Sequence, residues 1–131
     1  EFIDTDDVIK EQFGDISEIF KVNGEQYFRK LERDVILETA AKCGAVIATG
    51  GGAVLCSENV FRLRQNGKIY FLDRPLEQII PTSDRPLALD REAIKKRYDE
   101  RYDTYLASGK RIKMNGVVSD AADEICEDFE G

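Results

Sequence analysis

Two carboxylates set two positions apart are the first groups here with chemistry to offer. Asp4 and Asp6 stand in "FIDTD", directly after the apolar pair Phe2 and Ile3. In extended chain, alternate side chains share a face. The pair therefore suits a metal-bound water and a substrate hydroxyl, and a polar turn that ends a strand and caps the next helix accounts for the same spacing equally well. Three glycines, Gly50, Gly51 and Gly52, follow the apolar run "AVIAT". One or two would make a tight strand-to-helix turn. Three in a row leave backbone N–H groups free to lie close against a ligand.

The arginines divide by their surroundings. Arg29 lies among Glu25, Glu32 and Arg33 at helical spacing, which reads as a surface ion-pair set worth a few tenths of a kcal/mol per pair. It is also seven before Ile36, at the edge of an apolar stripe. Arg101 falls three after Tyr98, seven after Ile94 and four before Tyr105. That puts its guanidinium on the buried-facing side of a helix, where it needs an anionic partner: a protein carboxylate or a ligand's. Arg85 sits in a loop, "SDRPL". It is either a solvated charge beside a proline or a cation on a loop that closes over phosphate.

Composition narrows the classes. The chain has 131 residues, 42% hydrophobic and 34% charged, with net charge −7. This fits one globular domain with a modest core. It argues against generic nucleic-acid or anionic-membrane binding, and no apolar run is long enough to span a bilayer. Cys43, Cys56 and Cys126 are widely spaced and read as reduced thiols of a cytosolic protein. With no histidine in the chain, a Ser-His-Asp triad, a histidine base and a histidine metal site are excluded.

The elements that must position these groups follow from periodicity. Phe2 and Ile3 read as the end of a buried strand. "SEIFKVNG" reads as a short helix with Ser17 as its cap. Glu25 to Cys43 is the strongest helix, carrying Phe28, Leu31 and Val35 at helical spacing, with Ile36 and Ala40 widening the stripe and Gly44 as the stop. Ala45 to Thr49 and Lys68 to Asp73 read as strands covered on both faces. A helix is expected from near Ser57 to Gly67, a brief one in "RPLEQII", and a long one after Asp90; "RIKM" reads as a last short strand and Ser119 to Phe129 as a closing helix. The alternation is that of an α/β domain with a parallel sheet, whose ligands gather at the carboxyl ends of the strands.

Taken in order, "FIDTD", "IFKVNGEQYFRKLE", "VIATGGGAVL", "YFLDRPLE", "DRPL" and "RYDTY" resemble the shikimate kinase family from Phe2 to Tyr105. The resemblance implies a three-layer α/β parallel sheet of the P-loop nucleoside-monophosphate-kinase-like type, with residues 1–131 as a single domain and a lid loop at about 80–90. It implies ATP-dependent phosphorylation of the 3-hydroxyl of shikimate, a step of chorismate and aromatic amino acid biosynthesis in the cytoplasm, with ATP and Mg2+. On the matching residues, Asp4 would hold magnesium through water. Asp6 would bind ring hydroxyls and orient or deprotonate the attacking one. Arg29 and Arg101 would clamp the shikimate carboxylate, and Glu32 would hold Arg29. Gly50, Gly51 and Gly52 would approach substrate and the transferred phosphate, Phe28 would line the pocket, and Arg85 would stabilise charge on the γ-phosphate.

Two departures stand out. Ile80 and Pro81 stand about where the family's lid usually carries another arginine. G-x-x-x-x-G-K-[ST], which cradles nucleotide phosphates, occurs nowhere in the chain, and "TGGGAV" has no lysine after its glycines. In the family that loop follows a central strand lying between those matching "AVIAT" and "KIYFLD". Orphaned backbone groups on two buried strands cost roughly 1–3 kcal/mol each, which summed exceeds the stability of a small domain. The expectation is therefore that a longer parent supplies the upstream strand and loop, and that those two strands do not pair with each other. The alternatives are a non-catalytic shikimate-binding module and an interaction domain that has lost ATP binding.

Overall fold

In the computed structural model, residues 1–74, 91–114 and 118–130 are described. They fall into two compact units, one of Glu1–Gly67 and one of the described residues from Lys68 onward.

In the first unit, β1 (Phe2–Asp4) runs into α1 (Thr5–Phe13), α2 (Ile16–Asn23) and α3 (Glu25–Ala40) before β2 (Val46–Ala48) returns parallel to β1. Asp4 ends the strand and starts the helix: its Oδ1 accepts the Asp6 N–H at 2.9 Å. This is the N-cap use of a short carboxylate, and Asp6 and Asp7 in the first turn suit the helix dipole. Gly24 takes φ +86°, ends α2 through an N–H bond to the Phe20 carbonyl at 3.0 Å, and starts α3. A side chain there would be strained.

The core lies where α3 meets α1 and α2. Ile9, Ile16, Ile19, Phe28, Leu31 and Val35 are buried together, with Val8 and Phe20 packed on them. Each such burial contributes roughly 1.5–3 kcal/mol. The expected stripe of α3 is thus the observed one, and Glu32 and Thr39 share it.

After β2 a 3-10 turn (Ala53–Leu55) leads into α4 (Ser57–Gln65). Asn59, 2% exposed, donates to the Ala53 carbonyl at 2.9 Å. Past the end of α4, the Asn66 amide donates to the carbonyls of Ala40 (3.3 Å) and Lys42 (3.0 Å). It thereby satisfies orphaned acceptors at the end of α3. Gly44, the expected stop, lies in the turn beyond, with φ +68°.

The second unit repeats the parallel crossover. β3 (Tyr70–Asp73) pairs with β4 (Lys110–Lys113), with α5 (Arg91–Ser108) between them in sequence and α6 (Val118–Glu130) after them. Phe71 packs against Tyr102 and Tyr105, with ring centroids 5.8 and 5.0 Å away. Asp128 on α6 takes the Tyr70 hydroxyl at 2.7 Å and the Lys110 ammonium at 2.8 Å.

Among the described residues β2 pairs with β1 and β3 with β4, each as a two-stranded sheet. Several expectations change: α2 has Asp15, not Ser17, at its N-cap, with Ser17 inside the first turn, and the strand at Lys68–Asp73 leaves Leu72 49% exposed instead of covered. The strand at Ala45–Thr49 is not covered on both faces: Val46 is 67% exposed, and so is its register partner Phe2 at 68%. Paired residues share a face, and a two-stranded ribbon buries one face while leaving the other open. The helix α1 was not anticipated as an element, because its nine residues hold only a few apolar side chains among many charges. The brief helix in "RPLEQII", the proline loop and the Asp90 cap lie outside the described residues.

Candidate functional site

The first unit gathers most of the expected residues around the glycine run. Asp6, in the first turn of α1, is half-buried and turns its carboxylate toward Gly50. A Cβ on Gly50 would lie 3.3 and 3.4 Å from the Asp6 carboxylate oxygens and 3.5 Å from Glu32 Oε2. Two acidic side chains from α1 and α3 thus close on the same backbone atom, at the carboxyl ends of β1 and β2. Asp4 stands two residues before Asp6, with Oδ1 used in the cap. Its other oxygen is the one suited to a metal-bound water.

Arg29 lies over Gly52. Its Nη1 donates to Glu32 Oε1 at 2.9 Å and its Nη2 to Glu25 Oε2 at 3.4 Å. Glu32 is 1% exposed. A carboxylate so buried requires a cation and hydrogen bonds, and Arg29, itself part-exposed, supplies both. A Cβ on Gly52 would overlap the Arg29 guanidinium, lying 2.6 Å from Cζ. Only glycine leaves the plane of the guanidinium this close to the chain. The Phe28 ring lies 5.3 Å from Arg29 Cζ, within cation–π range, but the side chain is 4% exposed and packs against Phe20 in the core. It forms the floor beneath Arg29.

An open cleft of about 200 Å³ borders this arrangement, lined by Arg29, Glu32 and Gly52 together with Arg33, Leu55, Cys56 and Asn59. The last four escaped the sequence reading. Arg33 looked like one more surface charge, and the others depend on a 3-10 turn that no periodicity announces. Gly51 is exposed beside them.

Arg101 belongs to the second unit, half-buried on α5 as its spacing suggested. Near it in that helix, Tyr98 and Tyr102 donate their hydroxyls to Asp73. Burial pushes the Asp73 carboxyl up, but the hydrogen bonds from Arg111, Tyr98 and Tyr102 outweigh it and hold the group below its ordinary value. Burial and the same carboxylate raise the Tyr98 phenol to about 12. Arg85 lies outside the described residues.

Among the described residues no three acidic or cysteine side chains could hold a metal by themselves. Magnesium beside nucleotides takes only one or two protein carboxylates, with water and phosphate completing its shell, and the Asp4 oxygen outside the cap bond has the chemistry for such a contact. No helix among the described residues is long and apolar enough to cross a membrane.

Comparison with known proteins bears on the family and the fold. The profile of the family described as shikimate kinase matches residues 1–130. A shikimate kinase of Clostridium botulinum (strain Eklund 17B / Type B) is 42% identical over 124 residues, covering 91% of this chain and 74% of the relative. One from Caldanaerobacter subterraneus is 37% identical over 133 residues, covering 95% and 78%. Among solved structures, shikimate kinase from Acinetobacter baumannii in complex with shikimate superposes with TM-score 0.84 at 27% identity, over 99% of this chain and 76% of that one. The Aquifex aeolicus enzyme gives 0.83 at 32%, over 99% and 81%. The fold is accordingly the α/β, P-loop nucleoside-monophosphate-kinase-like fold of those neighbours, and the chain belongs to the shikimate kinase family.

Proposed function

We propose that this chain serves the ATP- and Mg2+-dependent phosphorylation of the 3-hydroxyl of shikimate, giving shikimate 3-phosphate. The observation that carries the reading is the joint placement of Arg29, Glu32 and Asp6 around Gly50 and Gly52. A guanidinium held by a buried carboxylate is set to grip a substrate carboxylate, and a second carboxylate stands beside it for a hydroxyl. Arg29 binds the carboxylate of the ring acid, and Arg101 contributes a second guanidinium. Glu32 keeps the Arg29 fork in one orientation, so little freedom is lost on binding. Asp6 accepts a hydrogen bond from the attacking hydroxyl and orients it, removing its proton as the phosphoryl group transfers. Asp4 would hold a magnesium ion through water, and the ion would supply charge neutralisation for the phosphates. Arg85 meets the charge on the γ-phosphate, and Gly51 lies at the substrate side of the glycine run. Residues 1–131 contribute to one kinase domain working in the cytoplasm, with the nucleotide-phosphate loop supplied by an upstream segment. The family match across residues 1–130 supports this domain reading.

The test is steady-state ADP release by the full-length protein with shikimate and ATP. Turnover is expected, with Asp6→Ala lowering kcat by about 10²-fold or more and Arg29→Ala raising KM for shikimate. Calorimetric binding of shikimate without turnover would return the chain to a non-catalytic binding module, and absence of binding would end the shikimate reading.

A further inference from the structure

Asp73 closes β3 with its side chain 5% exposed, and both of its oxygens are occupied. Oδ1 accepts the Tyr98 hydroxyl at 2.8 Å. Oδ2 accepts the Tyr102 hydroxyl at 3.1 Å and Arg111 Nε at 2.6 Å. The two phenols stand one helical turn apart on α5, with ring centroids 5.3 Å apart. Apolar packing on this helix already comes from Phe71 against Tyr102 and Tyr105. Packing of rings on a sheet tolerates some rotation of a helix about its axis; two hydroxyls meeting one fixed carboxylate do not. Arg101 is three residues after Tyr98 and one before Tyr102, about 60° and 100° from them around the helix. The rotation that satisfies both phenols therefore sets the direction in which the Arg101 guanidinium leaves α5.

We infer that Asp73 is a positioning residue for Arg101, acting through the Tyr98 and Tyr102 hydroxyls, so that a carboxylate buried under α5 tunes the affinity for the anionic end of the substrate. The inference rests on the reading that Arg101 binds the shikimate carboxylate. Arg111 has a distinct part: approaching from β4, it balances the Asp73 charge, and the anchor to the helix belongs to the tyrosines.

The experiment is kinetic, on the full-length protein, with Tyr98→Phe/Tyr102→Phe, Arg101→Ala and the triple combination, each checked for folding by thermal melting. The double phenylalanine variant keeps both rings. It is expected to raise KM for shikimate about tenfold while leaving kcat and KM for ATP within about twofold, the pattern of lost ground-state binding. In the Arg101→Ala background the same two substitutions are expected to change nothing further, because coupled residues are non-additive. Tyr102→Phe alone removes the longer contact and carries the test with the same sign at smaller size if the double variant does not fold. A shikimate KM unchanged by the tyrosine variants, or raised equally with and without Arg101, overturns the positioning role while the reading of Arg101 survives. A KM unchanged by Arg101→Ala removes that reading itself.

Discussion

Replacing Gly52 with alanine tests the placement of Arg29 at one atom. The backbone there is α-like, φ −88° and ψ −6°, so alanine fits the conformation. By stiffening the unfolded chain it should be neutral or stabilising by about 0.4–1 kcal/mol. The added Cβ, however, falls 2.6 Å from Arg29 Cζ. An ordinary contact needs about 3.5–4.0 Å, so the guanidinium must withdraw by about 1 Å. A displacement of that size takes the 2.9 Å bond to Glu32 out of hydrogen-bond range. The displaced atoms end a flexible side chain and can move, but the withdrawal leaves the buried Glu32 carboxylate without its 2.9 Å partner, which offsets the backbone gain. The withdrawal also costs the site its geometry: a charge-assisted hydrogen bond contributes about 1.5–3 kcal/mol, and misplacing a binding group by this much costs up to about 10²-fold. Initial rates against shikimate concentration, paired with thermal melts, are expected to show KM raised roughly 10- to 100-fold with Tm modestly lower, the lost bond to Glu32 outweighing the stiffer unfolded chain. In an Arg29→Ala background Gly52→Ala should add nothing. A shikimate KM within about twofold of the parent, with a normal melt, would show that the overlap with Arg29 does not matter to binding.

Glu32→Ala removes a buried partner but leaves Arg29 with Glu25 and solvent, so unfolding in denaturant should report a loss of about 1–3 kcal/mol together with weaker shikimate binding. The Asp73 carboxyl is held below its ordinary 3.8, so it contributes stability that is present above that value and lost as pH falls through the lower folded value. Asp73→Asn should flatten the acid limb of Tm against pH, and an unchanged limb would contradict the assigned bonding. Tyr70 and Tyr98 are each raised from 10.0 to about 12, Tyr70 by burial and Asp128 and Tyr98 by burial and Asp73. Their share of stability is present below pH 10 and should disappear between 10 and 12, tracked by tyrosinate absorbance and melting together. Asn66→Ala strips the bonds to Ala40 and Lys42 and should cost about 1 kcal/mol, with faster amide exchange at the end of α3.

Where a stripe of side chains dictated structure, the sequence could be read directly. α3 is placed by Phe28, Leu31, Val35 and Ile36, and the same spacing put Arg29 at the stripe's edge next to Glu32, where the ion pair forms. The glycine run foretold close approach, though the nearest groups in the structure are the chain's own Arg29 and Asp6. Long-range partners were hidden. Asp73 meets groups 25, 29 and 38 positions away, and no local pattern ties a strand end to two helix tyrosines and a second strand. Burial misled in the opposite sense at Phe2 and Val46, because an apolar run records what a strand is made of and not how many neighbours cover it. Asn66 carried no periodic signal at all, since its role depends on a helix end 24 to 26 residues before it.

That asparagine has a mechanical consequence. Asn66 fastens the far end of α3, while Asn59 fastens the 3-10 turn to α4. The strip bearing Arg29, Glu32 and Gly52 is therefore laced at both ends to one neighbouring helix. Such a strip is expected to open as one cooperative block, with its amides exchanging together and not turn by turn in hydrogen exchange.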